Sequence, residues 1–199
     1  LSLCNKNFQN INNDDSSKAK HDLLADVCMA AKFEAQSLKT YREQYDAEYS
    51  SGSGSTMCTM LARSFADIGD IVRGRDLYRG GNNKRRQQLD ENLQKIFTQI
   101  YNDVTSGNNK DTLKTRYKKD DAPDFLKLRE DWWEENRQQV WKALTCKAEG
   151  AYFHATCSDS GDGKGPSQAK NNCRCKKNDG KDDTDQVPTY FDYVPQYLR

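Results

Sequence analysis

The sequence has few of the features that membrane insertion or a large hydrophobic core requires. Its 199 residues include four prolines and two histidines, and hydrophobic residues make up 35% against 31% charged. The longest unbroken apolar run covers the five residues 27–31, whereas a transmembrane helix needs roughly 20. The sequence therefore predicts no membrane span, no signal peptide and only a modest core that would gain from disulfide cross-links.

Motifs for catalysis and for nucleotide binding are missing as well. Neither His21 nor His154 lies in a recognisable arrangement with a nucleophile. The glycine-rich stretch 73–81 matches neither the phosphate-binding loop nor the dinucleotide fingerprint, because no strand precedes it and its spacing differs. We therefore expect no enzyme activity and no cofactor.

Cysteine, in contrast, is plentiful for a charged chain with so little core. The seven cysteines favour disulfides and an oxidising compartment, and their odd number leaves at least one without a partner inside this chain. A zinc site built from the cysteines after residue 145 and His154 is the alternative. Only residues 173 and 175 form a close pair, so the spacing disfavours zinc and we predict no metal site. The disulfide candidates are Cys4, Cys28, Cys58, Cys146, Cys157, Cys173 and Cys175.

Hydrophobic spacing predicts an all-α protein. Apolar residues recur at three- and four-residue steps over 21–45, 57–72, 87–104 and 121–144, and no long stretch alternates as a strand would. Gly69 interrupts the second helix, which indicates a close packing contact or a helix end. Three tryptophans on the fourth helix predict that it forms the centre of the core. Its acidic pairs in 130–135 are expected to share a solvated face with Arg129 and Arg137.

The remaining segments are predicted to be connections. The serine- and glycine-rich run 50–55 is typical of a flexible loop, and the polar residues 158–186 are typical of a long surface loop tied at its base by cysteines. The aromatic segment 187–197 is expected to pack back onto the helices, the alternative being an exposed aromatic binding patch.

Two basic segments are hidden by the net charge of +1. Between residues 63 and 86 there are seven basic side chains against three acidic ones, and between 110 and 119 there are five against one. Each segment is either a solvated loop or a site for a polyanion, of which a sulfated glycan fits better than nucleic acid because no nucleic-acid-reading motif is present. Residues 84–86 precede the third predicted helix. The polyanion-binding candidates are Arg79, Lys84, Arg85, Arg86, Lys110, Lys114, Arg116, Lys118 and Lys119.

Several long blocks resemble a known family. Residues 58–78 read CTMLARSFADIGDIVRGRDLY, and this block resembles the Duffy-binding-like alpha domain of the Plasmodium falciparum erythrocyte membrane protein 1 family, the variant surface antigens of infected red cells. Further matching blocks are DLLADVCMAAK at 22–32, LREDWW at 128–133, VWKALTC at 140–146, CRC at 173–175 and DQVPTYFDYVPQYLR at 185–199. The stretches between them are similar to the hypervariable segments of the family.

The resemblance implies an all-α, disulfide-braced Duffy-binding-like fold with long surface loops, displayed outside the infected erythrocyte by a membrane anchor further along the polypeptide. It implies a partial domain, in which residues 1–50 end subdomain 1, residues 51–199 form most of subdomain 2, and subdomain 3 is absent. The odd cysteine would then pair with a residue in the missing parts.

The resemblance also implies the partners. These are host erythrocyte or endothelial surface receptors, sulfated glycans such as heparin, host antibodies and neighbouring domains of the same protein, with no nucleic acid and no membrane insertion by this fragment. The alpha class is associated with rosetting, the attachment of infected to uninfected red cells. Two hypotheses follow: an adhesion module that uses the basic residues above, or a structural platform and variable antigen whose receptor site lies in other domains.

Overall fold

The computed structural model describes residues 19–48, 57–77, 84–106, 110–117, 124–148, 152, 155–157, 165–170, 172–177, 179, 181, 183 and 186–199. They form five helices: α1 (Ala19–Glu48), α2 (Met57–Arg73), α3 (Lys84–Val104), α4 (Lys110–Arg116) and α5 (Leu126–Leu144). Two short 3₁₀ turns follow at Phe191–Tyr193 and Gln196–Leu198. Over these ranges there is no strand, and isolated β-bridges pair Cys157 with Ser167 and Lys170 with Arg174. The all-α prediction is confirmed.

All four predicted helices are present, with differences at their starts. α3 begins at Lys84 rather than at residue 87, so the basic triplet 84–86 forms its first turn instead of preceding it. α5 begins at Leu126, directly after Phe125, whose φ of 50° cannot continue a helix. The expected start at residues 121–123 lies outside the described residues. The seven-residue α4 was not predicted at all, because KDTLKTR carries a single large apolar side chain and therefore no period.

α5 forms the centre of the core, as its three tryptophans predict. Trp132, Trp133 and Trp141 are all buried. The Phe65 ring of α2 lies 5.1 Å from both Trp133 and Trp141, centroid to centroid. Phe97 of α3 meets Trp132 edge-on at 6.3 Å. Aromatic pairs at these separations add to the stabilisation that comes from buried apolar area.

The other long helices each bury one stripe against this centre. α1 contributes a face with small residues, which allows a close approach to α5, while α2 and α3 contribute larger aliphatic side chains at three- and four-residue spacing. Burying one such aliphatic side chain stabilises a fold by roughly 1.5–3 kcal/mol. The stripes comprise Leu23, Val27, Ala30 and Ala31 on α1, Leu61, Phe65, Ile68 and Val72 on α2, and Leu89, Leu93, Ile96, Phe97 and Ile100 on α3.

The prediction that Arg129 and Arg137 lie on a solvated face of α5 is wrong. Arg129 and Arg137 are 0% and 9% exposed, respectively. Each arginine lies four residues from Trp133, one before it and one after it. Residues four apart lie on the same face of a helix, so the arginines share the buried stripe of Trp133. Glu134 and Glu135 are exposed, as expected.

The end of the chain packs back onto the helices, as predicted for the aromatic segment. Val187, Thr189 and Asp192 are buried, whereas Tyr190 and Tyr197 each remain 74% exposed. The backbone of this segment therefore docks on α2 and α5 while several of its tyrosine rings face outward. The loop before it is tied at its base by Cys157 and Cys175, as expected.

Candidate receptor-binding surface

The first candidate cluster occupies the N-terminal turn of α3. Lys84 and Arg85 are exposed, and Arg86 is half-buried. Cations at this end oppose the helix dipole at a cost of about 0.3–1 kcal/mol each, so the helix itself does not favour them there. An external anion would relieve this repulsion, because unpaired backbone N–H groups at a helix N-terminus also attract negative charge.

Arg86 differs from its two neighbours in what it faces. Together with Leu89 it lines a small pocket between α2 and α3, and the carboxylates of Asp76 and Asp90 line the same pocket. Arg86 thus shares the lining of this pocket with two half-buried acids. Lys84 and Arg85 are the members of the triplet that point to solvent.

The second candidate cluster lies on α4, and its arginine is paired with an acid of α5. Arg116 donates through Nε at 2.7 Å and through a terminal nitrogen at 2.8 Å to the two carboxylate oxygens of Asp131 on α5. The Tyr117 hydroxyl donates to Asp131 Oδ2 at 2.7 Å. These bonds, with the Arg116 pair as the main cause, lower the pKa of Asp131. Lys114 remains exposed on the same short helix.

The structure therefore leaves fewer of the predicted polyanion-binding residues facing solvent. Among the described candidates, Lys84, Arg85 and Lys114 are exposed and are not paired with Asp131. Arg79, Lys118 and Lys119 lie outside the described residues, as does the side chain of Lys110. The two clusters belong to different helices, and α3 with its 21 residues separates their positions in the chain.

A buried ionic cluster, which sequence reasoning missed, holds the terminal segment in place. Arg137 donates to both carboxylate oxygens of Asp192, at 2.9 and 2.7 Å, and to the Thr189 carbonyl at 2.9 Å. Trp133 Nε1 donates to Asp192 Oδ2 at 2.9 Å. Asp192 is 0% exposed, so these donors compensate for the loss of its hydration. The only sequence signal was the placement of Arg137 on the tryptophan stripe.

A second ionic group connects α2 to the same segment. Arg73 pairs with Asp70 and with Glu130 at 3.0 Å each, and it donates to the Asp192 carbonyl. Arg199 pairs with Asp67 at 3.2 Å and also with Asp70. Burial raises the pKa of Asp67 to about 6, an effect that Arg199 opposes and Asp70 reinforces.

Four cysteines form two disulfides. Cys58–Cys173 joins the first turn of α2 to the loop after α5, and Cys157–Cys175 closes that loop. Cys157 and Cys175, two of the proposed ligands in the alternative zinc site, are thus bonded to each other. Cys28 and Cys146 are free thiols in the structure and Cys4 lies outside the described residues, so a disulfide for these three stays a prediction.

The described residues contain neither a metal-binding cluster nor a membrane-spanning helix. Within the ranges given above, no group of three or more histidine, cysteine, aspartate or glutamate side chains is arranged to hold a metal ion. None of the helices in those ranges combines the length and apolar character needed to span a bilayer.

Comparison with protein families gives a match over the whole chain. The Duffy binding domain model matches residues 1–199. The comparison with curated proteins gave no match.

Three solved structures share this fold. The NTS-DBL1(alpha-1) domain of Plasmodium falciparum PfEMP1 from the varO strain is 36% identical, with a TM-score of 0.69, and the match covers 98% of this chain and 39% of that one. The varO double domain of NTS-DBL1-alpha and CIDR-gamma is also 36% identical, with a TM-score of 0.66, 98% and 25% of the two chains being covered. A PfEMP1 DBLbeta domain bound to ICAM-1 is 29% identical, with a TM-score of 0.63 and coverage of 98% and 40%. The chain thus spans two fifths or less of each relative.

Proposed function

The chain belongs to the Duffy binding domain family, and from that premise we propose that it is an adhesion module that binds host-cell surface receptors. Duffy-binding-like domains of PfEMP1 are non-catalytic adhesion domains, and PfEMP1 is a surface protein of infected erythrocytes. The proposal places this chain on the outer face of that membrane. The relative solved with ICAM-1 is the model for such a host contact.

A sulfated glycan such as heparin is the partner chemistry that we assign to the α3 end. The observation that carries this assignment is the exposure of Lys84 and Arg85 at a helix N-terminus. Sulfate groups carry a permanent negative charge, and both the side chains and the positive end of the helix dipole attract them. Because these charges are exposed, binding has to weaken as salt screens them. Rosetting through glycans of uninfected red cells would be the cellular consequence.

A second candidate function is a structural platform and variable antigen. The pairing of Arg116 with Asp131 favours it, because this cation already has a partner within the chain. In this case the chain would position neighbouring domains and present variable loops to antibodies. Its division into subdomains at residue 50 also stays a prediction.

The test is binding to immobilised heparin and to uninfected red cells between about 50 and 300 mM salt, a range over which screening changes strongly. The variant Lys84→Glu/Arg85→Glu should lose the salt-sensitive binding. The matched control is Lys95→Glu/Lys142→Glu, which makes the same change in net charge at exposed positions on α3 and α5.

Three outcomes separate the functions. Loss in the first variant alone supports adhesion at the α3 end. Equal loss in both variants would mean that only net charge matters, which contradicts a site. A folded chain without any binding would favour the platform function. Circular dichroism and thermal unfolding of each variant establish that it is folded.

A further inference from the structure

A groove runs along α1, and none of the basic residues in the first turn of α3 lines it. Its volume is about 640 Å³, and it lies between α1 residues 29–43, the start of α2 and residues 144–148. Buried Leu61 and Leu144 form part of its lining, and the half-exposed side chains of Met29 and Phe33 stand beside them. Met29 is 57% exposed and Phe33 52%. Apolar side chains of this size, exposed next to one another at a concave surface, are typical of a binding site.

The shape of the groove fits a helix. The residues that α1 contributes recur at three- and four-residue steps, which makes a ridge of side chains of the kind that interdigitates with a second helix. The stretch from Met29 to Glu43 is about 21 Å long at 1.5 Å per residue, so it would accept about four turns. Gln36 and Thr40 lie within the lining and suit the polar edge of a helix better than an acyl chain.

The charges on the groove select an acidic partner. Three lysines and one glutamate line it. Lys39 and Glu43 are 3.9 Å apart and neutralise each other, so Lys32 and Lys147 leave the groove positive. If two copies of this chain met through their α1 grooves, Lys32 and Lys147 of one copy would face the same lysines of the other. Charge complementarity therefore favours a different polypeptide with carboxylates beside its apolar stripe.

We propose that the α1 groove docks an acidic amphipathic helix of a partner protein, with apolar anchors against Met29 and Phe33 and carboxylates beside Lys32 and Lys147. This is the helix-in-groove mode of recognition, in which residues at i, i+3, i+4 and i+7 supply the anchors. The surface is separate from the glycan site proposed above.

Cys146 supplies a reporter, because it is an exposed free thiol in the groove lining. The probe is a synthetic helix of about 15 residues with leucine at the anchor positions and glutamate on both flanks, a length that matches the groove. A control peptide carries lysine in place of each glutamate. Alkylation of Cys146 by iodoacetamide is followed by mass spectrometry at that residue, with and without peptide. Cys28, which does not line the groove, serves as the control thiol.

We expect the glutamate peptide to slow alkylation of Cys146 at least about fivefold at saturation and the lysine peptide to leave it unchanged. Charge reversal in Lys32→Glu/Lys147→Glu should weaken the glutamate peptide by about tenfold, equivalent to about 1.4 kcal/mol, and should allow the lysine peptide to bind. Phe33→Ser, at a half-exposed position, should weaken the binding of the glutamate peptide without unfolding the chain.

Equal protection by both peptides would overturn the assignment to an acidic helix. Protection that rises with protein concentration in the absence of peptide, together with a dimer in light scattering, would assign the groove to a second copy. Protection by a long-chain fatty acid but by neither peptide would assign it to a lipid. Either of these two results would overturn the proposal, as would unchanged alkylation at saturating concentrations of the glutamate peptide.

Discussion

A Cβ atom on Gly69 would lie 2.8 Å from Cζ2 and 2.9 Å from Cε2 of Trp133. Gly69 lies four residues before the last residue of α2, and Trp133 is a fully buried ring of α5. Because the two helices cross at this point, the absence of a side chain on Gly69 allows α2 to pack directly on the indole. Of the two alternatives predicted at Gly69 from sequence, a close packing contact or a helix end, the packing contact is confirmed.

Substitution Gly69→Ala should therefore destabilise the protein. Alanine favours the helix by about 1 kcal/mol over glycine, but the overlap with a fully buried ring costs typically about 1–3 kcal/mol. We expect a net loss of up to about 2 kcal/mol, measured by chemical denaturation. A matched control is Ser37→Ala at an exposed position on α1, where no such contact exists. An increase in stability for Gly69→Ala would contradict the close contact.

The helices could be predicted because their apolar residues repeat with the period of a buried stripe. Phe65, Phe97 and Trp141 each mark such a stripe, and hydrophobic burial alone is sufficient to orient the helix that carries it. The family blocks then indicated the arrangement of these helices.

Burial of charge was not predictable in the same way. Arg137 is charged, and a charged residue is seldom buried unless a partner satisfies it. That partner, Asp192, lies 55 residues further along the chain. No local sequence pattern indicates a pairing between residues so far apart in the chain. The same reason applies to Arg116, whose partner Asp131 could only be found once α4 was placed beside α5.

The Arg137–Asp192 pair should contribute strongly to stability. Asp192→Asn keeps the shape but leaves Arg137 without a countercharge in a buried site, and breaking one partner of a buried pair costs about 3–5 kcal/mol. We expect a corresponding fall in the free energy of unfolding, together with faster proteolysis of the segment around Thr189, which Arg137 also holds.

Asp131→Asn is the control for Asp192→Asn, because it removes the countercharge from a pair at the surface. The side chain of Arg116 is 50% exposed, and exposed pairs contribute about 0–1 kcal/mol. Equal losses in the two variants would show that burial of the Asp192 pair does not determine its contribution.

The two disulfides should differ in their effect on stability. Cys58–Cys173 spans 115 residues and Cys157–Cys175 spans 18. In the chain-entropy model the longer loop restricts the unfolded chain more, by about 1.5 kcal/mol for these lengths. Replacing the first pair by alanine should therefore lower the free energy of unfolding by about that much more than replacing the second.

Cys146→Ala provides the baseline for the cysteine variants, because this thiol is exposed and free in the structure. It should change stability by less than about 0.5 kcal/mol, as is usual at the surface. A larger loss for the Cys157–Cys175 pair than for the Cys58–Cys173 pair would contradict the loop-length argument.

Asp67 should make stability depend on pH in an unusual direction for an acid paired with arginine. Its pKa is raised to about 6, above the value near 3.9 that an unfolded aspartate has, because burial outweighs the attraction of Arg199. The folded state therefore binds the proton more tightly than the unfolded state. The stabilisation that this brings is complete below about pH 4 and is lost as pH rises through about 6.

Asp67→Asn removes this dependence, so the wild type should lose more stability than the variant between pH 4 and pH 7. Two pKa units correspond to a difference of up to about 3 kcal/mol. The measurement is thermal or urea unfolding of both proteins at half-unit pH steps. Asp103→Asn, at an exposed position on α3, is the matched control and should follow the wild type. Parallel pH profiles for the wild type and Asp67→Asn would mean that Arg199 stabilises the charged form of Asp67 enough to cancel the cost of its burial.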